Sequence, residues 1–164
     1  MYGLRPDRRR DLLDFQLTDY VMNTNVRIAQ PADLSKALAA YQAWNYQAGI
    51  GPDDKVWLAE FAGELIGIVR VVPEEGTFVL RGMRIAEEWR RHGIGSQILR
   101  VVAEWLGKRE CYCVPYVHLI EFYSQMGFSE IAPVLAPAFL ARRLAEYRAK
   151  ALDVTIMARS AISA

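Results

Sequence analysis

The stretch Leu80–Leu99 reads Leu-Arg-Gly-Met-Arg-Ile-Ala-Glu-Glu-Trp-Arg-Arg-His-Gly-Ile-Gly-Ser-Gln-Ile-Leu, and its order of parts decides the fold. An apolar strand ends at Ile85, a charged turn and a glycine-bearing loop follow, and an amphipathic helix starts at Gly93. Arg91, His92, Gly93, Ile94, Gly95 and Ser96 can each offer a backbone N–H where that helix begins. The unpaired donors and the helix dipole there favour a phosphate or diphosphate. Gly93 and Gly95 can take positive φ without a Cβ penalty and let a bulky anion close to the main chain. No Gly-Lys-Ser/Thr follows, so this is not a Walker loop, and the third glycine of the dinucleotide fingerprint is missing.

Upstream, Val56–Phe61 and Leu65–Val72 are rich in strand formers and flank Ala62-Gly63-Glu64, the chemistry of a tight hairpin. A second turn at Pro73-Glu74-Glu75-Gly76 leads into Thr77–Ile85, which completes a meander of strands. Arg81, Gly82 and Arg84 interrupt the apolar pattern of that last strand, the mark of a bulge or of a place where another backbone or a ligand approaches. Nearer the N-terminus, Val26–Ala29 reads as a short strand. Pro31-Ala32-Asp33 then opens a helix whose Leu34, Ala37, Leu38, Tyr41 and Trp44 seek a core. Asn45–Asp54 holds Gly49, Gly51 and Pro52 and is a loop, either a plain connector or one wall of a pocket.

Downstream, Ile94, Ile98, Val102, Trp105 and Leu106 form one helical stripe that ends at Gly107. Cys111–Val114 is the next strand, and a strand–helix–strand unit sets it parallel to the strand before the glycine loop. Leu119, Phe122, Tyr123 and Met126 share a face of a further helix stopped by Gly127. Residues 137–152 show helical spacing through Leu140, Leu144, Tyr147 and Ala151, before Asp153–Arg159 reads as a final strand. Arg142, Arg143, Arg148 and Lys150 are read as the wet face of that helix.

The chain has 164 residues, enough for one compact domain, and is 52% hydrophobic and 24% charged, the balance of a globular protein. A formal net charge of +1 gives no global pull toward nucleic acid or an acidic membrane, so neither is an expected partner. Cys111 and Cys113 stand two apart in a strand, share a face and are badly placed to bond to each other. With no bilayer-length apolar run and no secretory segment, a cytoplasmic location is the expectation. Residues 1–25 read as an N-terminal extension, with a basic cluster at Arg5, Arg8, Arg9 and Arg10 ahead of Leu13, Leu17, Tyr20 and Val21 at helical spacing, and 26–160 as the domain.

The run Arg90-x-x-Gly93-x-Gly95, five residues after Ile85, resembles the acyl-CoA signature of the GNAT superfamily of N-acetyltransferases. That signature is a strand ending in Val-x-Pro, an aromatic, then Arg/Gln-x-x-Gly-x-Gly/Ala. Ile85 stands for the valine and Trp89 for the aromatic, while Glu87 replaces the proline. Glu121-Phe122-Tyr123-Ser124-Gln125-Met126-Gly127-Phe128 is similar to the family's helix-ending pattern, an aromatic pair followed by Gly-Phe. Tyr116 occupies the position where many members carry an asparagine. The resemblance covers Val26–Phe128 and the last strand, and the helix over 137–152 interrupts the usual closing hairpin.

The resemblance implies a single α/β (α+β) domain with a mixed, mostly antiparallel twisted sheet that opens between Ile85 and Cys111. It also implies acetyl-CoA as acyl donor, an amine as acceptor and direct transfer in a ternary complex; separately, two scattered histidines with two strand cysteines make no zinc spacing, so no metal is expected. Gly93, Gly95 and the amides of Arg91, His92, Ile94 and Ser96 would hold the diphosphate. The backbone of Met83, Arg84 and Ile85 would pair with the pantetheine arm as an added strand and polarise the thioester carbonyl. Tyr123 matches the family's general acid, and a phenol can donate to a departing thiolate. Glu74, Glu75, Glu121 and His118 are the candidates for a base, with none preferred. A non-catalytic acyl-CoA-binding regulatory module and a partner-binding domain are the rival readings, and the apolar edges with the extra helix leave a homodimer open.

Overall fold

A computed structural model describes residues 23–160. The extension's helix and its basic cluster therefore lie outside the described residues. The strands are β1 (Asn25–Ile28), β2 (Lys55–Phe61), β3 (Glu64–Glu74), β4 (Thr77–Ile85), β5 (Cys111–Cys113), β6 (Ser129–Glu130) and β7 (Met157–Arg159). The helices are α1 (Leu34–Ala43), α2 (Ile94–Leu106), α3 (Ile120–Ser124) and α4 (Ala138–Ala149). The strands form a mixed sheet in the order β1-β2-β3-β4-β5-β7-β6. All neighbours are antiparallel except β4 and β5, which run parallel. Among the described residues no helix is long and apolar enough to cross a membrane.

Pleat alternation sorts the sheet's two faces. Trp57, Ala59, Ile66, Val69, Val71, Leu80 and Cys111 point to one side, where they meet Ile94, Ile98, Leu99, Val102 and Leu106 of α2. Val56, Leu58 and Ile68 point to the other side and meet Ala37 and Tyr41 of α1. On that same side Val79, Tyr112 and Ile156 are covered by Leu140 and Leu144 of α4. Helices on both faces of a central sheet explain why β3 is nearly all apolar.

Several expectations need correction. The turn after β3 is confined to Glu75 and Gly76, both with positive φ, so Pro73 and Glu74 belong to the strand ladder opposite Phe78 and Thr77. A tight two-residue hairpin turn needs only that pair of left-handed residues. On α1, Leu38 is 36% exposed, because the inward face is carried by Ala37 and Tyr41 with Leu34, Ala40 and Trp44 beside them. On α4, Arg143 is not part of the wet face: it pairs with Glu74 at 2.8 Å and ties the inserted helix to the end of β3. Arg148 likewise bonds the carbonyl of Val154 at 3.1 and 3.2 Å.

The contact between β4 and β5 is short. Only Phe78–Cys111 and Val79–Tyr112 are paired, and beyond them the strands diverge. The divergence is reinforced by a bulge in β4. Arg81 faces Arg70 and Arg84 faces Ile68, so Gly82 and Met83 together oppose Val69. Gly82 has φ of 65°, and a Cβ there would lie 2.6 Å from the hydroxyl of Tyr41. Only glycine fits that corner.

Candidate active site

The opening between β4 and β5 is a cavity of about 890 Å³. It is bounded by the outer half of β4, the start of α2, the segment after β5 and residues of α3 and α4. Its size suits a large organic ligand.

At one end lies the turn before α2. Arg90 is extended, Arg91 has φ of 64° and Gly93 has φ of 78°, so left-handed residues alternate with others just ahead of a long helix. Alternation of this kind can turn successive amides toward an anion, an arrangement called a nest, and the α2 dipole would favour an anion there. Gly95 departs from expectation: it is an ordinary helical residue, and its lack of a side chain accommodates Phe122, whose ring would lie 3.0 Å from a Cβ. Arg91, Gly93, Ile94, Gly95 and Ser96 all border the cavity. His92 does not line it; its ring folds back on the loop, with Nδ1 2.8 Å from the carbonyl oxygen of Arg90.

Along β4, the amide of Ala86 donates to the carbonyl of Ile66 at 2.8 Å, so Ala86 and Arg84 face β3. Alternation then turns the main-chain groups of Ile85 and Met83 toward the cleft. Their carbonyls accept from arginine side chains there, Met83 from Arg84 at 2.8 Å and Ile85 from Arg90 at 3.2 Å. The main chain of Arg84 is engaged with β3, and this residue reaches the cavity through its guanidinium instead.

Tyr123 sits on the opposite wall, 7% exposed, between the rings of Phe122 and Phe128. Burial pushes its phenol well above its ordinary range, with the Cys113 thiol adding to the rise and the Arg84 charge partly offsetting it. Across ordinary working pH the phenol therefore holds its proton.

Residues 52–130 match the family described as acetyltransferase (GNAT) domain. Over that span, just under half of its length, the chain is similar to a GNAT acetyltransferase domain. Solved structures share this GNAT fold. N-acetylglutamate synthase from Neisseria gonorrhoeae, complexed with coenzyme A and N-acetyl-glutamate, superposes with a TM-score of 0.61 at 14% identity over 85% of this chain. This chain spans only 35% of that synthase. A GNAT-family acetyltransferase from Streptococcus pneumoniae gives 0.62 at 17% identity, covering 82% of this chain and 97% of the other. Arabidopsis thaliana Naa50, in complex with the bisubstrate analogue CoA-Ac-MVNAL, gives 0.59 at 15% identity over 84% and 99%. No curated protein matches the sequence.

Among the base candidates, Glu74 is committed to Arg81 at 2.9 Å and Arg143 at 2.8 Å. Glu75 and Glu121 are exposed and do not line the cavity. His118 does line it, stacked on Tyr116 at 5.7 Å between ring centroids. Tyr116 is 44% exposed and forms an isolated bridge with Val154, so its position links α3's approach to the final strand.

Sequence reasoning missed the arginine clamp behind β4. Arg70, buried in β3, pairs with Asp54 at 2.8 Å and donates to the carbonyl of Gly49 at 2.8 Å and to the Tyr46 hydroxyl at 3.1 Å. These bonds hold loop 45–54 against the sheet, and Tyr46 of that loop borders the cavity. The signal was a lone arginine inside an otherwise apolar strand. Such a charge, once buried, requires a partner.

Proposed function

We propose that the protein transfers an acetyl group from acetyl-CoA to a primary amine of a small molecule or peptide, directly, in a ternary complex. The observation that carries this reading is that one cavity joins the turn at Arg91 and residues 93–96, the cleft-facing edge of β4 at Met83 and Ile85, and the buried Tyr123. The nest would hold the diphosphate, the strand edge would pair with the pantetheine amides, and the splayed end of β4 would polarise the thioester carbonyl.

In the transfer, the amine nitrogen attacks the thioester carbon and the C–N bond forms as the C–S bond breaks. Tyr123 gives its proton to the departing thiolate and regains one from solvent. The proton shed by the nitrogen leaves through water or the His118 imidazole. Cys113 borders the same cavity, and burial raises its thiol well above its ordinary range, so it is a poor nucleophile for an acetyl-enzyme route. This supports direct transfer.

A second reading, a non-catalytic acyl-CoA-binding module, draws on one feature: among the described residues no carboxylate lines the cavity. Calorimetric titration with acetyl-CoA and measurement of thiol release over a panel of amines separate the cases. Saturable binding with turnover supports the transferase, binding without any turnover supports the module, and absence of binding at millimolar acetyl-CoA rejects both.

A further inference from the structure

The charge on the cavity wall is one-sided. Arg81, Arg84, Arg90, Arg91 and Arg143 line it, and among the described residues no aspartate or glutamate does. These arginines are not equivalent. Arg90 and Arg91 stand at the nest, where a diphosphate would meet them. Arg81 and Arg143 share Glu74 just behind the wall. Arg84 alone of the wall's central arginines has no carboxylate within 4.0 Å among the described residues. Its guanidinium bonds the carbonyl of Met83 and lies over the ring of Tyr46, 4.5 Å from the centroid.

The side of the sheet matters as much as the charge. Arg84 is opposite Ile68, whose side chain packs against α1, so Arg84 rises from the face away from α2 and the nest. Yet it is close enough to Tyr123 to influence that phenol. A half-buried cation with one neutral acceptor and an aromatic face is incompletely satisfied, and its planar fork suits a carboxylate. A donor held at the start of α2 would keep its phosphates toward the α2 face of the sheet. A polyamine, or a lysine side chain with no anion nearby, would meet like charge here.

We infer that the acceptor is a small amine carrying a carboxylate, of the free amino acid class, and that the Arg84 side chain grips that carboxylate while the amine faces the thioester. The inference rests on the acetyl-transfer reading and narrows it. Arg84 is then a specificity-determining residue, and the clamp of Arg70, Asp54 and Tyr46 positions the ring against which it lies.

The test is thiol release from acetyl-CoA with the standard L-amino acids, each beside its own α-carboxamide, and with spermidine as the cationic control. The amide's amine loses its proton more readily, so preference for the acid reports carboxylate binding. For the best acid, kcat/KM is expected to exceed that of its amide by about ten- to a hundredfold. That ratio falls to near unity in Arg84→Met and recovers in part in Arg84→Lys, while calorimetry shows that both variants still bind acetyl-CoA. Equal use of acid and amide, preference for spermidine, or a ratio that survives Arg84→Met overturns the assignment and leaves acetyl transfer standing. Failure of the unaltered protein to bind acetyl-CoA removes both.

Discussion

The hydroxyl of Tyr41 donates a hydrogen bond of 2.9 Å to the carbonyl of Gly82, joining the last turn of α1 to the bulge in β4. The same hydroxyl fills the space that a Cβ at residue 82 would need. Helix, bulge and cleft thus form one unit. Tyr41→Phe removes one hydrogen bond and should destabilise the fold by about 1 kcal/mol. Gly82→Ala adds a strained φ and a close contact and should cost about 2 to 4 kcal/mol. Urea unfolding of the two variants checks the order, and equal midpoints would refute it.

Tyr123→Phe keeps the ring between Phe122 and Phe128 and removes only the hydroxyl. Turnover should fall by about a hundredfold or more, as expected for loss of a general acid. Affinity for acetyl-CoA should be nearly unchanged, since the nest at 91–96 is untouched. Steady-state kinetics beside calorimetry reads both, and unaltered turnover would remove Tyr123 from the chemistry.

Asp54 and Arg70 are 5% and 4% exposed at their side chains. Removing one partner strands the other as a buried charge, so Asp54→Ala should cost about 3 to 5 kcal/mol. Loop 45–54 loses its anchor as well, because Asp54 also accepts from the amide of Gly51 at 2.9 Å. Denaturant midpoints for the variant, together with limited proteolysis within 45–54, measure the two effects. Resistance equal to that of the unaltered chain would contradict the clamp.

Burial raises the Cys111 thiol to about 12, and burial with the neighbouring Glu110 carboxylate raises the Tyr112 phenol to about 12. Cys113, Tyr41 and Tyr123 are also shifted upward, chiefly by burial. Each group's folded-state value exceeds its unfolded one, so in the alkaline range the folded chain binds more protons and stability falls as pH rises. The contribution is complete below about pH 8.5, where unfolded thiols begin to ionise. It declines progressively toward about 12. Unfolding midpoints across this window should drop steadily, and a flat profile would contradict the burial of these groups.

Much of the architecture was legible because it follows from local pattern. The end of β4 at Ile85, the α2 stripe and the stop at Gly107 depend on periodicity or on a glycine, and the parallel placement of β5 follows from the strand–helix–strand order. What escaped depends on partners distant in sequence. Glu74 and Arg143 are 69 residues apart and nothing local announces their pairing. Arg70 bonds Tyr46 across 24 residues, which is why loop 45–54 could be read equally as a connector. Gly95 was misread for a related reason: its constraint comes from Phe122, not from its own backbone. The assignment of Arg84 changed in the same way. Its main chain belongs to the ladder with β3, and only the bulge reveals where its side chain emerges.

The two-pair seam between β4 and β5 leaves the sheet's halves joined largely through side chains, by the apolar packing under α2 on one face and under α4 on the other. A strand-like molecule entering there would supply rungs that the polypeptide itself omits. Recognition and completion of the fold then become a single event. Whatever occupies the gap acts as a splint, raising resistance to unfolding in proportion to its affinity and concentration.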